Sequence, residues 1–248
     1  MAYTLRYHPA VRDDLPRISA DARRRIARMI DARLGTEPAR FGTPLSGSLR
    51  GYWKLRVGEY RVVFKSTWTA RSHPFEYPSG AHFSGLIGAS HNANYSIFAV
   101  GRRPTPGLER LSEEGKHSPL SDEINVAIEA GNAGAMFETG ALKNFRDSLV
   151  ATVQVDPKHP MVSVVAMIAP SPDWFTGASS VNLAENGGWV KTRTLTLPAY
   201  DSGGDDGRTY KAADRNTNPK KPTTRAATRH FVVNGKVKPV ATIRFTKQ

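Results

Sequence analysis

From about Gly80 to the C-terminus the chain is a succession of short apolar runs, rich in β-branched residues and separated by Gly, Pro, Asn and Asp. The runs include HFSGLIGAS, YSIFAVG, SLVATVQV, MVSVVAMIA, WVKTRTLTL, RHFVVNG and VATIRFT. Strands at this density, with few long stretches of helical period, predict a mainly β protein built as an antiparallel β-sandwich. SLVATVQVD-PKHP-MVSVVAMIA predicts a hairpin, and TPGLERLSEEG a short helix across one end. RNTNPKKPTTRAATRH is polar and proline-bearing, which predicts a long mobile loop.

The first 65 residues read differently. TLRY opens as a short strand. Ser19 is placed to cap a helix on which Ala22, Ile26, Met29, Ile30 and Leu34 recur at helical spacing. Gly35 and Pro38 end it. In YWKLRV-GE-YRVVFK two alternating runs flank a two-residue loop beginning at Gly58, which suits a type II′ hairpin. In that register Val57 pairs with Tyr60, Leu55 with Val62 and Trp53 with Phe64, all on one apolar face. The opposite face then carries Lys54, Arg56 and Arg61, with the two arginines across from each other, an arrangement that calls for an anion or a carboxylate. Ser66 to Ser79 has little apolar periodicity and reads as a linker, so the expected division is 1–65, 66–79 and 80–248.

Charge follows the same division. The net charge is +13. Up to Arg71 there are 15 Lys and Arg against 6 Asp and Glu; the remainder has 20 against 16. A basic N-terminal unit meets phosphate or serves as a solubilising surface, and charge alone does not separate the two. There is no cysteine, which excludes disulfides, thiolate metal sites and cysteine nucleophiles together. No segment reaches the ~20 apolar residues of a membrane helix. The first residues hold no apolar run long enough for a signal-peptide core, which taken alone places the chain as written in the cytoplasm; the resemblances given below conflict on this point and leave its location open.

The strand, helix and hairpin order of the first segment, with GEYRVVF, resembles the RelE/ParE toxins of toxin–antitoxin systems. Some of these cleave ribosome-bound messenger RNA and others poison DNA gyrase. The resemblance implies that Lys54 and Arg61 take phosphate-binding positions, with Arg56 on the same basic face, and that nucleic acid or an antitoxin is the contact. The match stops before the family's last strand, which implies an incomplete and inactive unit. IFAVGRRP superficially resembles the missing strand but continues the pattern of the second segment.

In the second segment FSGLIGASHNANYSIFAVG, LERLSEEG, FETG, APSPDWFTG and LPAYDSGGDDGRTY follow one another in an order and spacing that resemble the spondin N-terminal domain. This domain was first known from animal extracellular matrix proteins and is found in bacterial proteins too. The resemblance implies an eight-stranded sandwich, a variant of the calcium-and-lipid-binding sandwich, with Ca2+ held by loops at one end. It places Asp173, Asp201 and Asp205 at the metal-ligand positions and leaves Asp206 just outside them. The residue types agree: D-S-G-G-D-D-G supplies carboxylates on a backbone that turns sharply, and calcium takes 6–8 oxygen ligands. Taken alone, such a loop is also what solvated turns are made of.

Other chemistry is not indicated. The seven histidines show no zinc spacing, and neither G-x-S-x-G nor a phosphate-binding glycine loop occurs. His91 reads as a buried hydrogen-bonding residue or a site residue; with Glu109, Glu138 and Glu185 it cannot be assigned to one face from sequence. Two functions follow. The first is a non-enzymatic, calcium-binding adhesion module that recognises a protein or matrix partner and carries a toxin remnant. The second is a toxin acting on ribosome-bound messenger RNA or gyrase, with the sandwich appended.

Overall fold

A computed structural model describes residues 58–142 and 148–248, and before residue 58 only short pieces of backbone. The chain divides into two units at Val57/Gly58. In the first, strand β1 (Gly42–Pro44) pairs antiparallel with β2 (Trp53–Leu55).

The second unit begins with β3 (Gly58–Ser66), β4 (His82–Phe83) and β5 (Ile87–His91), followed by helices α1 (Pro106–Glu114) and α2 (Leu120–Glu129). Then come β6 (Ala133–Glu138), β7 (Ser148–Val155), β8 (Met161–Ala169) and β9 (Trp174–Asn182). A small pair, β10 (Ala184–Glu185) and β11 (Gly188–Trp189), precedes β12 (Thr192–Leu197) and β13 (Ala199–Asp201). The chain ends with β14 (Thr224–Arg225), the pair β15 (Val232–Val233) and β16 (Lys236–Val237), and β17 (Ala241–Lys247).

Two antiparallel sheets form a β-sandwich. One has the order β12-β17-β3-β7; the other runs β14-β13-β9-β8-β5-β6, with β4 also on β8. Alternation along β3 sends Tyr60, Val62 and Phe64 into the core and leaves Arg61 and Lys65 outside. They share one core with Val153, Ile243 and Phe245 of their own sheet and with Val164, Ile168 and Trp174 of the other. The larger sheet has a second apolar face. There Ile87, Val165, Phe175 and Tyr200 pack against Leu108 and Leu111 of α1 and Leu120 and Ile124 of α2. This double burial explains why β8 reads as an unbroken apolar run. Helix α1 starts where Thr105 Oγ1 accepts the Leu108 N–H at 3.2 Å and ends at the left-handed Gly115.

Several expectations are corrected. Strand β3 belongs to the sandwich, not to a toxin-like hairpin: both its edges are occupied, by β17 and by β7. The boundary expected at residue 65 therefore falls at 57/58. Residues 66–79 are no exposed linker, because Trp68 and His73 are buried and the Thr67 N–H donates to Val240 O at 2.8 Å. SLVATVQV and MVSVVAMIA are strands over the expected residues but lie in different sheets; only a bridge between Asp156 and His159 remains of the hairpin. YSIFAVG is not a strand, although Ile97 and Phe98 enter the second core. The stretch expected as a mobile loop is pinned: Thr217 N donates to Gly204 O at 2.8 Å, Lys221 N to Gly203 O at 2.9 Å, and Thr223, Ala226 and His230 are buried.

Candidate metal centre

Asp173 sits in the turn from β8 to β9. Ser171 shapes that turn: its hydroxyl donates to Ile168 O at 2.5 Å and accepts the Trp174 N–H at 3.1 Å. Strand β13 pairs with β9 so that Asp201 lies opposite Trp174, which brings the end of β13 beside Asp173. Beyond Asp201 the chain wraps over the Asp173 carboxylate. Oδ2 of Asp173 accepts from Ser202 Oγ at 2.8 Å, from the N–H groups of Gly203 and Gly204 at 2.9 Å, and from that of Asp205 at 3.1 Å. Successive backbone N–H groups curled around an anion form a nest. Glycine is required in it: Gly203 has φ +86°, and a Cβ there would lie 2.2 Å from Lys221 O.

The other oxygen, Asp173 Oδ1, is buried without a hydrogen-bond partner, and the residue has 0% exposure. Burial raises the Asp173 pKa, opposed by the four donors on Oδ2. Burial, and then the nearby charge of Asp173, push Asp201 up to about 6. Asp201 Oδ1 accepts the Gly203 N–H at 3.0 Å, and the Trp174 side chain also favours the ionised carboxylate. Neither residue has an ion pair among the described residues.

Asp205 is arranged differently. Its Oδ1 accepts the Gly207 N–H at 2.5 Å and its Oδ2 the Arg215 N–H, so the carboxylate closes its own loop. Among the described residues no three acidic or imidazole side chains converge as a ready metal shell. The structure thus brings Asp173 and Asp201 together, with Asp205 four residues on and turned to its own loop. Asp206 is exposed and ion-paired with Lys221.

A second acidic group flanks the nest. Glu113 of α1 lies against Gly204, where a Cβ would meet its Oε1 at 2.8 Å, and that oxygen has no partner. Burial, then Glu109, push Glu113 up to about 7, with Asp173 and Asp214 adding and Lys220 opposing. Lys220 is ion-paired with Glu109 and donates to Gly204 O at 3.2 Å. The signal for this pair was its spacing: positions 109 and 113 are one helical turn apart and share a face.

Of the basic candidates, Arg61 is exposed on the four-stranded sheet. Lys54 contributes backbone to β2 opposite Thr43, in another sheet. The Lys54 side chain and Arg56 lie outside the described residues. Lys54 and Arg61 thus belong to strands of different sheets rather than to one hairpin. His91 is fully buried, with Nε2 2.8 Å from Ser163 Oγ and Nδ1 2.7 Å from Asn92 O. Burial lowers its pKa, so it is a neutral core residue.

The family model Spondin_N matches residues 58–234. Spondin-2 of Rattus norvegicus is 33% identical over 172 residues, 68% of this chain and 52% of that protein. Human Spondin-2 is 32% identical over the same length. Spondin-1 of Rattus norvegicus is 31% identical over 169 residues, 66% of this chain and 21% of that protein. The chain therefore spans about half the length of the Spondin-2 relatives and about a fifth of Spondin-1. The matched region takes in Asp173, Asp201 and Asp205 and begins at the first residue of β3.

Proposed function

The chain belongs to the Spondin_N family, and from that membership we propose that residues 58–248 are a non-enzymatic recognition module of the extracellular adhesion type, with its end loops held by calcium. One observation carries the metal reading: the fully buried Asp173 carboxylate, whose Oδ1 has no partner. An ionised carboxylate buried without a counter-charge is costly. A nearby second carboxylate, raised to about 6 in part by the first, adds to that cost. A hard cation between them would offset both terms.

Asp173 and Asp201 would hold the ion, with Asp205 as the third carboxylate and backbone carbonyls or water completing the shell. The ion's contribution is charge and fixed coordination; it carries out no reaction. The protein's part is to hold Asp173 by Oδ2 in the nest and leave Oδ1 available. With the loops fixed, the surface formed by residues 202–230 would be presented to a protein or matrix partner. A site of this kind suits the outside of the cell, where modules of modest calcium affinity are filled.

The test is thermal. In the metal-free full chain, calcium should raise the melting temperature, by a stabilisation of about 2.7 kcal/mol at a hundredfold excess over Kd. Magnesium should act weakly, because it sheds water reluctantly and demands a tighter octahedron. Asp201→Asn should remove most of the rise. Identical melting in calcium and in chelator would sink the proposal.

A further inference from the structure

Residues 207–238 carry nine Lys and Arg against the single acid Asp214. Three of the arginines are gathered. Arg208, Arg225 and Arg229 line one groove of about 500 Å³ together with Thr224, Thr228 and His230. Pairing of β14 with β13 sets Arg225 opposite Tyr200 at the sheet edge. Arg229 is held over Phe75, with its guanidinium carbon 4.2 Å from the ring centre.

Five cations of this unit find carboxylates: Arg110 and Lys116 meet Glu114, Arg193 meets Glu185, Lys220 meets Glu109 and Lys221 meets Asp206. Arg208, Arg225 and Arg229 make no ion pair among the described residues. Three like charges around one hollow repel one another unless an anion enters it.

A second observation points the same way. Two buried polar atoms that belong to the groove's lining residues have no partner: Thr228 Oγ1 and His230 Nδ1, the latter on a residue with 2% exposure. Buried polar atoms in folded proteins are nearly always satisfied. Both atoms lie beneath the groove's floor, so they mark unsatisfied polarity under the arginines without themselves being ligand contacts.

The ligand's shape follows from the neighbouring groove. A hollow of about 620 Å³ shares Gly207 and Arg208 with the first and adds Arg215, together with Lys221 and its ion-pair partner Asp206. Arg208 stands in the wall of both, so a chain-like polyanion passing it would be met by cations on either side. Single-stranded nucleic acid is the less suitable polyanion, because it is held through exposed rings on which bases stack. Trp174, Tyr210 and Phe231 are buried, and Phe75 is covered by Arg229.

We propose that these adjoining grooves bind a linear sulfated or carboxylated polysaccharide, with Arg208, Arg225 and Arg229 as the principal oxyanion contacts. The inference does not need the calcium ion, since the three arginines outnumber Asp201, the one carboxylate in the first groove.

The experiment is binding of the full chain to a fluorescent heparin oligosaccharide over a salt series. The wild type should bind, with log K falling linearly against log salt. The triple variant Arg208→Gln, Arg225→Gln, Arg229→Gln should lose about tenfold or more in affinity and show a flatter salt slope. Arg208→Gln alone, at an exposed position without an ion pair, should weaken binding measurably while the melting temperature stays unchanged. The control Lys65→Gln, Arg244→Gln, Lys247→Gln removes the same charge from exposed positions of the four-stranded sheet and should cost less than about threefold. Equal losses in the two triples would reduce the effect to net charge and overturn the site. Tighter displacement by single-stranded DNA than by unlabelled heparin would overturn the polysaccharide assignment. So would absence of binding in the wild type.

Discussion

At the residue scale the decisive group is Asp173, because one of its oxygens is saturated and the other has no hydrogen-bond partner. Asp173→Ala strips an acceptor from four donors and should cost about 3 kcal/mol or more in chelator, read by urea unfolding. Asp173→Asn keeps an acceptor in the nest; it should cost less in chelator yet show no calcium-dependent rise. The aspartates were legible because carboxylates and glycines crowd one short loop. Their division of labour was not, since it depends on which N–H groups each carboxylate meets after folding. Glu113 was missed for the same reason: its setting exists only once α1 has docked on Gly204. Its carboxyl is raised from the ordinary 4.5 to about 7, so the folded state favours the neutral acid. The stability this provides is complete below about pH 4.5 and is lost as pH rises through about 7. Glu113→Gln should therefore melt higher than wild type at about pH 8, with the difference closing toward about pH 4.5. The gain should be on the order of 1 kcal/mol, discounted because the side chain is partly exposed. A variant less stable than wild type at the higher pH would contradict this account.

At the element scale the sequence specified strands better than partners. SLVATVQV and MVSVVAMIA are strands to the residue, because a run of β-branched residues between turn formers has few alternatives. Nothing in a five-residue gap says whether two strands pair or part into facing sheets. Here β8 takes β5 and β9 on its edges while β7 takes β3, so the chain crosses the core between them. GEYRVVF carried the same ambiguity: its alternation correctly gave an apolar face, but its hairpin-like turn drew it to the wrong partner. Helix α2 is less legible because only Leu120, Ile124 and Ala127 of its five apolar residues are buried, and the adjacent Val126 and Ile128 blur the helical period. The place of β3 has a direct consequence. A fragment beginning at Gly80 lacks the strand between β7 and β17 and the buried rings of Tyr60, Phe64 and Trp68. It should fail to fold, as judged by circular dichroism and cooperative melting. Within the intact chain, Phe64→Ala, which removes the ring lying 5.2 Å from that of Phe83, should cost about 3–5 kcal/mol. A cooperatively folded 80–248 fragment would return β3 to a separate unit.

At the scale of the whole molecule the question is where the folding unit starts and stops. The family match runs from 58 to 234, whereas the compact unit runs from Gly58 to Gln248. The two agree at the start and differ at the end. Strand β17, Ala241–Lys247, lies beyond the matched residues, yet it pairs with β12 on one side and β3 on the other. It places Ile243 and Phe245 in the main core at 0% exposure. The last residue returns to the first strand, with Gln248 N donating to Glu59 O at 3.0 Å. A chain cut at 234 would leave β12 without a partner and β3 with one bare edge, and it would open the core at two fully buried side chains. Losing two such side chains alone removes several kcal/mol, a large part of the about 5–15 kcal/mol by which domains are stable. Residues 58–248 expressed alone should therefore melt cooperatively and keep the calcium-dependent rise of the full chain. Residues 58–234 should yield insoluble or non-cooperative material, although they contain every proposed metal ligand. The comparison is made by scanning calorimetry of the two fragments with and without calcium. Cooperative melting of 58–234 would mean that β17 is an accessory strand and that the sandwich closes without it.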